Sequence, residues 1–281
     1  MPKGGSAVIQ NLKLTVLMDN IAQEPLVCEW GLSMLIEADG RKILLDTGAS
    51  GQFIRNAELL RTDLSEVDVG ILSHAHYDHA DGMEAFFACN DHAEFFLRQG
   101  CRENCFGIKD GVFRYNGIRK GTLERFADRI RFVSGVYPLA EGIWLLGHRA
   151  ADYSSLALRN ELFVVEGERR RPDDFSHEQS LIIETQKGLV IFNSCSHTGV
   201  KNVLEDVREM LGDREVFAYV GGLHLYKLTD EELSVLADEL ACSGISKILT
   251  GHCTGEHAYA FLRQRLGEQI GQVSVGFTWV F

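Results

Sequence analysis

One short stretch constrains this chain more than any other feature, the run His74-Ala-His76-Tyr-Asp78-His79 that follows an apolar segment at Val67 to Leu72. The apolar segment predicts a strand buried on both faces, and side chains two residues apart on an extended segment point to the same side. His74 and His76 can therefore converge on one cation, while the following turn brings Asp78 and His79 toward a second position. We predict a metal centre here that holds one or two divalent ions.

The ligand types narrow the choice of metal without deciding it. Imidazole and carboxylate groups without a quartet of thiolates favour zinc, with iron or manganese as alternatives. The chain also has seven cysteines, an odd number that does not form a complete disulfide framework. If the protein is cytoplasmic these thiols are reduced, and a cysteine beside histidines is then a candidate ligand.

Charge and hydropathy exclude several classes of partner. The formal net charge is −12, and no lysine or arginine stripe interleaves with aromatic residues, so we expect no nucleic-acid partner. No apolar run is long enough for a membrane span, and the opening MPKGGSAVIQ lacks the apolar core of a signal peptide. We therefore expect a cytoplasmic protein that acts on a small-molecule substrate and has no membrane partner.

Hydrophobic periodicity predicts strands and helices in an order typical of an α/β fold. The first part is rich in strands and carries one helix, and the last part has a hairpin followed by alternating helices and strands. This order indicates two sheets sandwiched between helices. The predicted strands are 12–18, 32–37, 42–46, 67–72, 130–133, 143–146, 181–184, 189–192, 216–220 and 247–249, and the predicted helices are 51–60, 200–211 and 230–241.

The middle of the chain breaks this regular pattern. From about residue 99 to 175 the sequence consists of short segments separated by glycine, which indicates an insertion or lid over the sheets. No repeat, low-complexity tract or linker divides the chain elsewhere. We predict a single domain over residues 1–281 with a lid at about 99–175.

The motifs together resemble a known family. The stretch from His74 to Gly82, preceded by Leu44-Leu-Asp46-Thr-Gly48, resembles the signature of the metallo-β-lactamase superfamily. The resemblance implies an αββα four-layer sandwich with the metal site at one edge. The motifs at 193–199, 221–224 and 251–255 are similar to the branch that contains dihydropterin-ribofuranosylaminobenzene phosphate synthase-like proteins.

The resemblance also implies roles for residues outside the first motif. Asp46 would orient a metal-bound histidine, and His252 would be the distal histidine of the second metal. His224 would contact substrate. The third histidine of the first metal stays open between His177 and His197, since each lies next to the end of a predicted strand.

Cys195 departs from the family pattern. In typical hydrolases of the superfamily an aspartate at this point bridges two metals, whereas this chain has Asn193, Ser194 and Cys195. A thiolate can ligate or bridge soft divalent metals, and the alternative is a buried free cysteine packed as a small apolar residue.

Two functions remain in competition. The first is a metal-dependent hydrolase that uses metal-activated water on a small anionic phosphoester, lactone or thioester, with Asp78 as ligand and proton acceptor. The second, from the branch resemblance, is a dihydropterin-type transferase whose metal binds a diphosphate leaving group. The missing bridging aspartate fits the second chemistry somewhat better.

Overall fold

The computed structural model describes residues 8–149 and 151–281. The strands, numbered in chain order, are β1 (Leu12–Met18), β2 (Ser33–Ala38), β3 (Arg41–Leu45), β4 (Val69–Ile71), β5 (Glu94–Arg98), β6 (Cys105–Lys109), β7 (Val112–Tyr115), β8 (Ile130–Val133), β9 (Val136–Ala140), β10 (Ile143–Gly147), β11 (Leu162–Glu166), β12 (Arg169–Pro172), β13 (Gln179–Thr185), β14 (Gly188–Phe192), β15 (Val216–Val220), β16 (Lys247–Thr250), β17 (Ile270–Gln272) and β18 (Thr278–Val280). The helices are α1 (Gln52–Leu59), α2 (Tyr77–Ala80), α3 (Met83–Cys89), α4 (Thr122–Arg125), α5 (Ser154–Arg159), α6 (Val200–Leu211), α7 (Asp230–Ala241) and α8 (Glu256–Leu266).

Two seven-stranded sheets form the centre of the molecule. Their strand orders are β18-β1-β2-β3-β4-β5-β8 and β17-β16-β15-β14-β13-β10-β9. One half of each sheet is antiparallel, from β18 to β3 in the first sheet and from β14 to β9 in the second. The other half, from β3 to β8 and from β14 to β17, is parallel. The parallel runs matter for function because their carboxyl ends open toward a common edge.

Side-chain alternation along the strands builds the layers. In β2, Met34 and Ile36 belong to the core between the sheets, while Leu35 packs on the opposite face under α1 and α3. In β14, Val190 faces the other sheet, and Ile191 packs under α6, α7 and α8. Because both faces of each sheet are covered, the fold is the expected αββα four-layer sandwich.

The predicted lid at 99–175 is too wide. Strand β8 is the edge of the first sheet, and β9 and β10 belong to the second sheet, so these parts are scaffold. Their shortness and the positive-φ glycines Gly135 and Gly142 in the turns around β9 give an irregular sequence pattern. Within the described part of this segment, β6, β7, β11 and β12 form a four-stranded sheet that is separate from the two large sheets.

This small sheet lies against the predicted metal motif. The loop after β7 forms a bridge between Gly117 and His76, and the N–H groups of Tyr77 and Ile118 donate to Asn116 and Ala75 carbonyls. The narrower insertion is therefore positioned to shape the entrance to the site, while its influence on substrate choice stays a prediction. Among the described helices none is both long and apolar enough to cross a bilayer.

Gly82 provides a test of the join between the motif and the first sheet. A Cβ atom at this position would lie 2.1 Å from the Thr47 carbonyl oxygen and 2.6 Å from that of Ser50. We expect Gly82→Ala to lower the free energy of unfolding by about 1–3 kcal/mol, because backbone must move to admit the methyl group. Thermal unfolding measures this. Gly271→Ala, whose Cβ would meet nothing closer than 3.4 Å, is the control, and an equal loss in both variants would contradict the prediction.

Candidate metal centre

The predicted site residues gather where strands of both sheets end. Asp46 follows β3 and His74 follows β4, both in the first sheet. Cys195, His224 and His252 follow β14, β15 and β16 in the second. The fold thus brings to one edge side chains that are far apart in the sequence.

A first set of three imidazoles consists of His74, His76 and His197. Their ligand nitrogens lie within 4.8 Å of one another, and all three residues are buried. The Nε2 atoms of His74 and His197 are 3.2 Å apart, and Nε2 of His76 is buried without a hydrogen-bond partner. Three convergent imidazoles of this kind fit a zinc-like cation.

The rings of this first set are neutral at ordinary pH. Burial lowers the pKa of His74 and His197 well below its usual range, and neighbouring histidines lower it further. Burial likewise lowers the pKa of His76 to about 3. Neutral imidazole is the form that ligates a metal, so this arrangement favours a cation over bound protons.

A second set consists of Asp78, His79 and His252. Nε2 of His252 lies 3.2 Å from Nε2 of His79 and 3.4 Å from Oδ2 of Asp78, and the distance from that oxygen to His79 is 3.8 Å. Burial opposes a charge on His252, but Asp78 outweighs it and raises the pKa of this ring to about 9. A positive charge beside the Asp78 carboxylate therefore stabilises the second set. In the metal-free protein a proton on His252 supplies this charge, and a divalent cation could supply it instead.

The thiol of Cys195 lies between the two sets. Its Sγ is 3.2 Å from Nε2 of His79. The same sulfur lies within 4.8 Å of a ring nitrogen of His74, and also within 4.8 Å of ring nitrogens of His197 and His224. Burial raises the pKa of Cys195, so the thiol is neutral until a cation stabilises the thiolate. Cys195 thus occupies the place where the resemblance led us to expect a bridging group.

Hydrogen bonds connect Asp46 to both sets, directly to His79 and through Ser73 to His74. Its Oδ2 is 2.7 Å from Nδ1 of His79 and accepts the hydroxyl hydrogen of Ser73 at 2.6 Å. The Ser73 oxygen in turn lies 2.8 Å from Nδ1 of His74. Both histidines therefore carry hydrogen on Nδ1 and direct the Nε2 lone pair inward, which is the tautomer a metal requires.

His252 has a different outer partner. Oδ1 of Asn20 is 3.1 Å from Nδ1 of His252, and the Asn20 amide nitrogen donates to the His252 carbonyl at 3.1 Å. This pair of contacts fixes the ring with Nε2 facing inward. The backbone at Asp46, Ser196, His224 and His252 has positive φ, a conformation that costs energy in non-glycine residues and is concentrated at functional sites.

The structure separates His177 from His197. His177 lies outside the first set: its Nε2 is 3.0 Å from Oδ2 of Asp173, and its Nδ1 accepts the N–H of Ala75. Its nearest group of potential ligands is instead His76, Cys105 and Asp173. Because both ring nitrogens of His177 are already hydrogen bonded, His197 fits the third position of the first set better, and the choice between the two histidines stays a prediction.

Several contributing residues escaped the sequence analysis. Ser73 and Asn20 are hydrogen bonded to ligand histidines, and Cys253 lies beside Cys195. Buried Glu178 accepts the backbone N–H of His197 at 2.8 Å and so fixes the loop after β14. Of these, Ser73, Glu178 and Cys253 carried a usable signal, because each adjoins a predicted ligand in the sequence.

A cleft of about 570 Å³ opens beside the centre. Its walls include Trp30, whose ring is 5.1 Å from that of His252, and Tyr226, whose ring is 4.9 Å from that of His224. Tyr77 also lines it. The rim carries the cations Lys109, Arg114 and Lys227 together with the acids Asp110 and Glu161.

Comparison with known proteins identifies the fold family. The sequence profile of the metallo-beta-lactamase superfamily matches residues 31–88. A solved metal-dependent hydrolase of the beta-lactamase superfamily superposes with a TM-score of 0.81 at 27% identity, covering 95% of this chain and 98% of that one. The chain therefore has the metallo-β-lactamase fold and resembles this superfamily in both sequence and structure. A metallo-β-lactamase fold protein of Bacillus subtilis, 12% identical with a TM-score of 0.54 over 97% of this chain and 100% of that one, agrees in fold.

Two curated relatives of this chain come from the archaeon Methanocaldococcus jannaschii. Its 7,8-dihydropterin-6-methyl-4-(beta-D-ribofuranosyl)-aminobenzene-5'-phosphate synthase is 28% identical over 95% of this chain and 96% of that protein. An uncharacterized protein of the same archaeon is 27% identical over 89% of this chain and 94% of its own length. The expected branch resemblance is therefore found over nearly the whole chain.

Proposed function

We propose that this protein is a metal-dependent hydrolase that acts on a small anionic substrate in the cleft beside the centre. The observation that carries the proposal is the pair of buried ligand sets, His74 with His76 and His197, and Asp78 with His79 and His252, joined at Cys195. When bound, a divalent cation would supply a Lewis acid and lower the pKa of a water ligand to about 7. Zinc is the first choice for imidazole and thiolate donors, with iron or manganese as alternatives.

The chain's own residues would orient and bind the substrate. Asp78 is ionised, because His79 and His252 outweigh its burial and hold the pKa of its carboxyl below the usual range. It is therefore able to accept a hydrogen bond or proton from a nucleophile near the second set. Lys109 and Arg114 at the rim would attract an anion to a protein whose net charge is −12.

His224 is the proposed substrate contact. Both of its ring nitrogens are buried without a hydrogen-bond partner among the described residues, although the residue itself is only partly buried. An imidazole in this state has unused donor and acceptor capacity next to the cleft wall at Tyr226. A substrate oxygen would satisfy one of the two nitrogens.

A transferase is the second candidate, and two observations favour it. A thiol stands at Cys195 where hydrolases of the superfamily carry a bridging carboxylate, and the archaeal synthase aligns with almost the whole chain. In this reaction the amine nitrogen of an aminobenzene would attack a pterin methylene carbon, the bond from that carbon to oxygen would break, diphosphate would leave, and the amine would lose one proton to solvent. Trp30, Tyr77 and Tyr226 would then hold a planar ring.

Isotope labelling separates the two candidates. We expect the metal-loaded protein to hydrolyse a phosphoester, lactone or thioester in ¹⁸O-water with one labelled oxygen in the product. A coupled pterin product without ¹⁸O would favour the transferase. His74→Ala is the control and should abolish either activity, because it removes a ligand of the first set. Turnover that persists in this variant and after chelation would refute a metal-dependent mechanism.

A further inference from the structure

Cys253 places a second thiol at the centre. The residue follows His252 directly, is buried, and its Sγ lies within 4.8 Å of both the Cys195 sulfur and a ring nitrogen of His252. Its Sγ is also 3.7 Å from the Cys195 carbonyl oxygen. Two thiols from the ends of separate strands, β14 and β16, therefore meet on the His252 side of the centre.

A glycine makes this approach possible. A Cβ atom at Gly222 would lie 2.4 Å from the Cys253 sulfur and 2.9 Å from the Ser194 carbonyl oxygen. The loop after β15 therefore packs directly on the sulfur only because residue 222 has no side chain. This same loop then turns through His224 with a φ of 52°.

His224 supplies an independent indication of a ligand on this side. One of its ring nitrogens lies within 4.8 Å of the Cys195 sulfur and of a ring nitrogen of His197. Both ring nitrogens of His224 are buried without a hydrogen-bond partner among the described residues. Polar atoms that are buried without a partner cost free energy unless a ligand satisfies them.

We propose that Cys253 is a metal ligand, so that the His252 side of the centre binds a soft divalent cation through Cys195, Cys253 and His252, with His79 or His224, each beside Cys195, as the fourth donor. Zinc and cadmium prefer this mixture of sulfur and imidazole nitrogen. Each thiol loses its proton to solvent as its bond to the metal forms, and no electron is transferred. The inference rests on metal binding in the proposed function and is independent of the reaction catalysed.

The spacing of the donor atoms is compatible with this site. Around a tetrahedral zinc ion, ligand atoms are about 3.3–3.8 Å apart. The three donors lie within 4.8 Å of one another, so they need to contract by at most about 1.5 Å. Because Cys195 and His252 also touch His79, the same ion would retain contact with the second set.

Cobalt substitution provides the main test. We expect Co²⁺ alone, added under a phosphine reductant, to give a near-ultraviolet sulfur-to-cobalt band from two thiolates. The band should fall to about half in Cys253→Ser and in Cys195→Ser, and disappear in the double variant, whereas Cys89→Ser keeps it. Cys89 is a suitable control because its thiol donates to the Phe86 carbonyl away from the donor set. An unchanged band in Cys253→Ser would overturn the proposal.

A second measurement needs no variant. The ¹¹³Cd chemical shift of cadmium-loaded wild-type protein reports how many sulfurs bind the ion. A resonance typical of two sulfurs with nitrogen supports the proposal, whether or not the first set gives a second resonance, and a spectrum without such a resonance overturns it. Neither experiment depends on turnover. Absence of hydrolase activity would therefore not contradict Cys253 as a metal ligand, and a negative cobalt or cadmium result would not contradict the hydrolase activity.

Discussion

Replacing His197 with alanine should remove the metal ion of the first set. The variant leaves only His74 and His76 in that set, because His177 is held by Asp173 and by the Ala75 N–H and is not free to replace the lost ring. Removing even a hydrogen-bond partner of a ligand costs about 10–100-fold in metal affinity, so loss of a ligand should cost at least about 100-fold. Equilibrium competition with a chromophoric chelator measures the affinity, and elemental analysis measures the stoichiometry.

His177→Gln is the matched control. Like His197, it is a buried histidine at this edge, and glutamine retains a donor for Asp173. We expect this variant to unfold at a lower temperature while keeping its metal content. If His177→Gln lost one ion and His197→Ala kept both, the assignment of the third ligand would be reversed.

The sequence could not decide between these two histidines for a topological reason. Strands β13 and β14 are antiparallel, with Leu181 opposite Phe192, so the start of β13 and the end of β14 lie at the same edge of the sheet. His177 precedes the first strand and His197 follows the second. Both histidines therefore lie near the site. His177 differs in that its ring is hydrogen bonded to Asp173 and to the Ala75 N–H.

Elements with clear end signals were predicted well. Helix α6 begins after Gly199 and ends before Gly212, and α7 begins after Thr229, whose side chain forms a capping box with Glu232. Both helices have the predicted bounds. Strands β1, β8, β14 and β15 also agree with the prediction at one or both ends, because their apolar runs are bounded by polar or glycine residues.

The missed elements lack such patterns. Helix α8 buries Ala258, Leu262 and Leu266, a regular spacing of four, but charged and polar residues fill most of the rest and obscure the apolar stripe. Strands β17 and β18 have three residues each, too few to show a period. Their existence depends on pairing with β16 and β1.

The residues of the site are likewise of two kinds, those that a local sequence motif indicates and those that only the folded chain brings together. The ligands His74, His76, Asp78 and His79 lie in one motif, so the sequence alone indicates them. Asn20, by contrast, reaches His252 across 232 positions of the chain, and no local pattern records that contact. Of the residues that set a tautomer, Asp46 was indicated through the family resemblance, whereas Asn20 was not indicated at all.

Asp46→Asn should weaken metal binding at both sets together. The carboxylate accepts from Nδ1 of His79 directly and from His74 through the Ser73 hydroxyl, so it sets the tautomer of one ligand in each set. An amide has one donor group in place of an acceptor, and an NH₂ facing His79 would favour hydrogen on the inward Nε2, where it blocks ligation.

We therefore expect Asp46→Asn to lose about 10–100-fold in affinity for each ion, measured by the same chelator competition. Asn20→Ala is the comparison, because among the proposed ligands the Asn20 side chain is hydrogen bonded to His252 and to neither His74 nor His79, so this variant should weaken only the second ion. Asparagine has nearly the shape of aspartate, and circular dichroism should show that the fold is retained. If Asp46→Asn weakened one ion and left the other at wild-type affinity, Asp46 would be acting through a single histidine, and the connection through Ser73 would have no part in holding the first set.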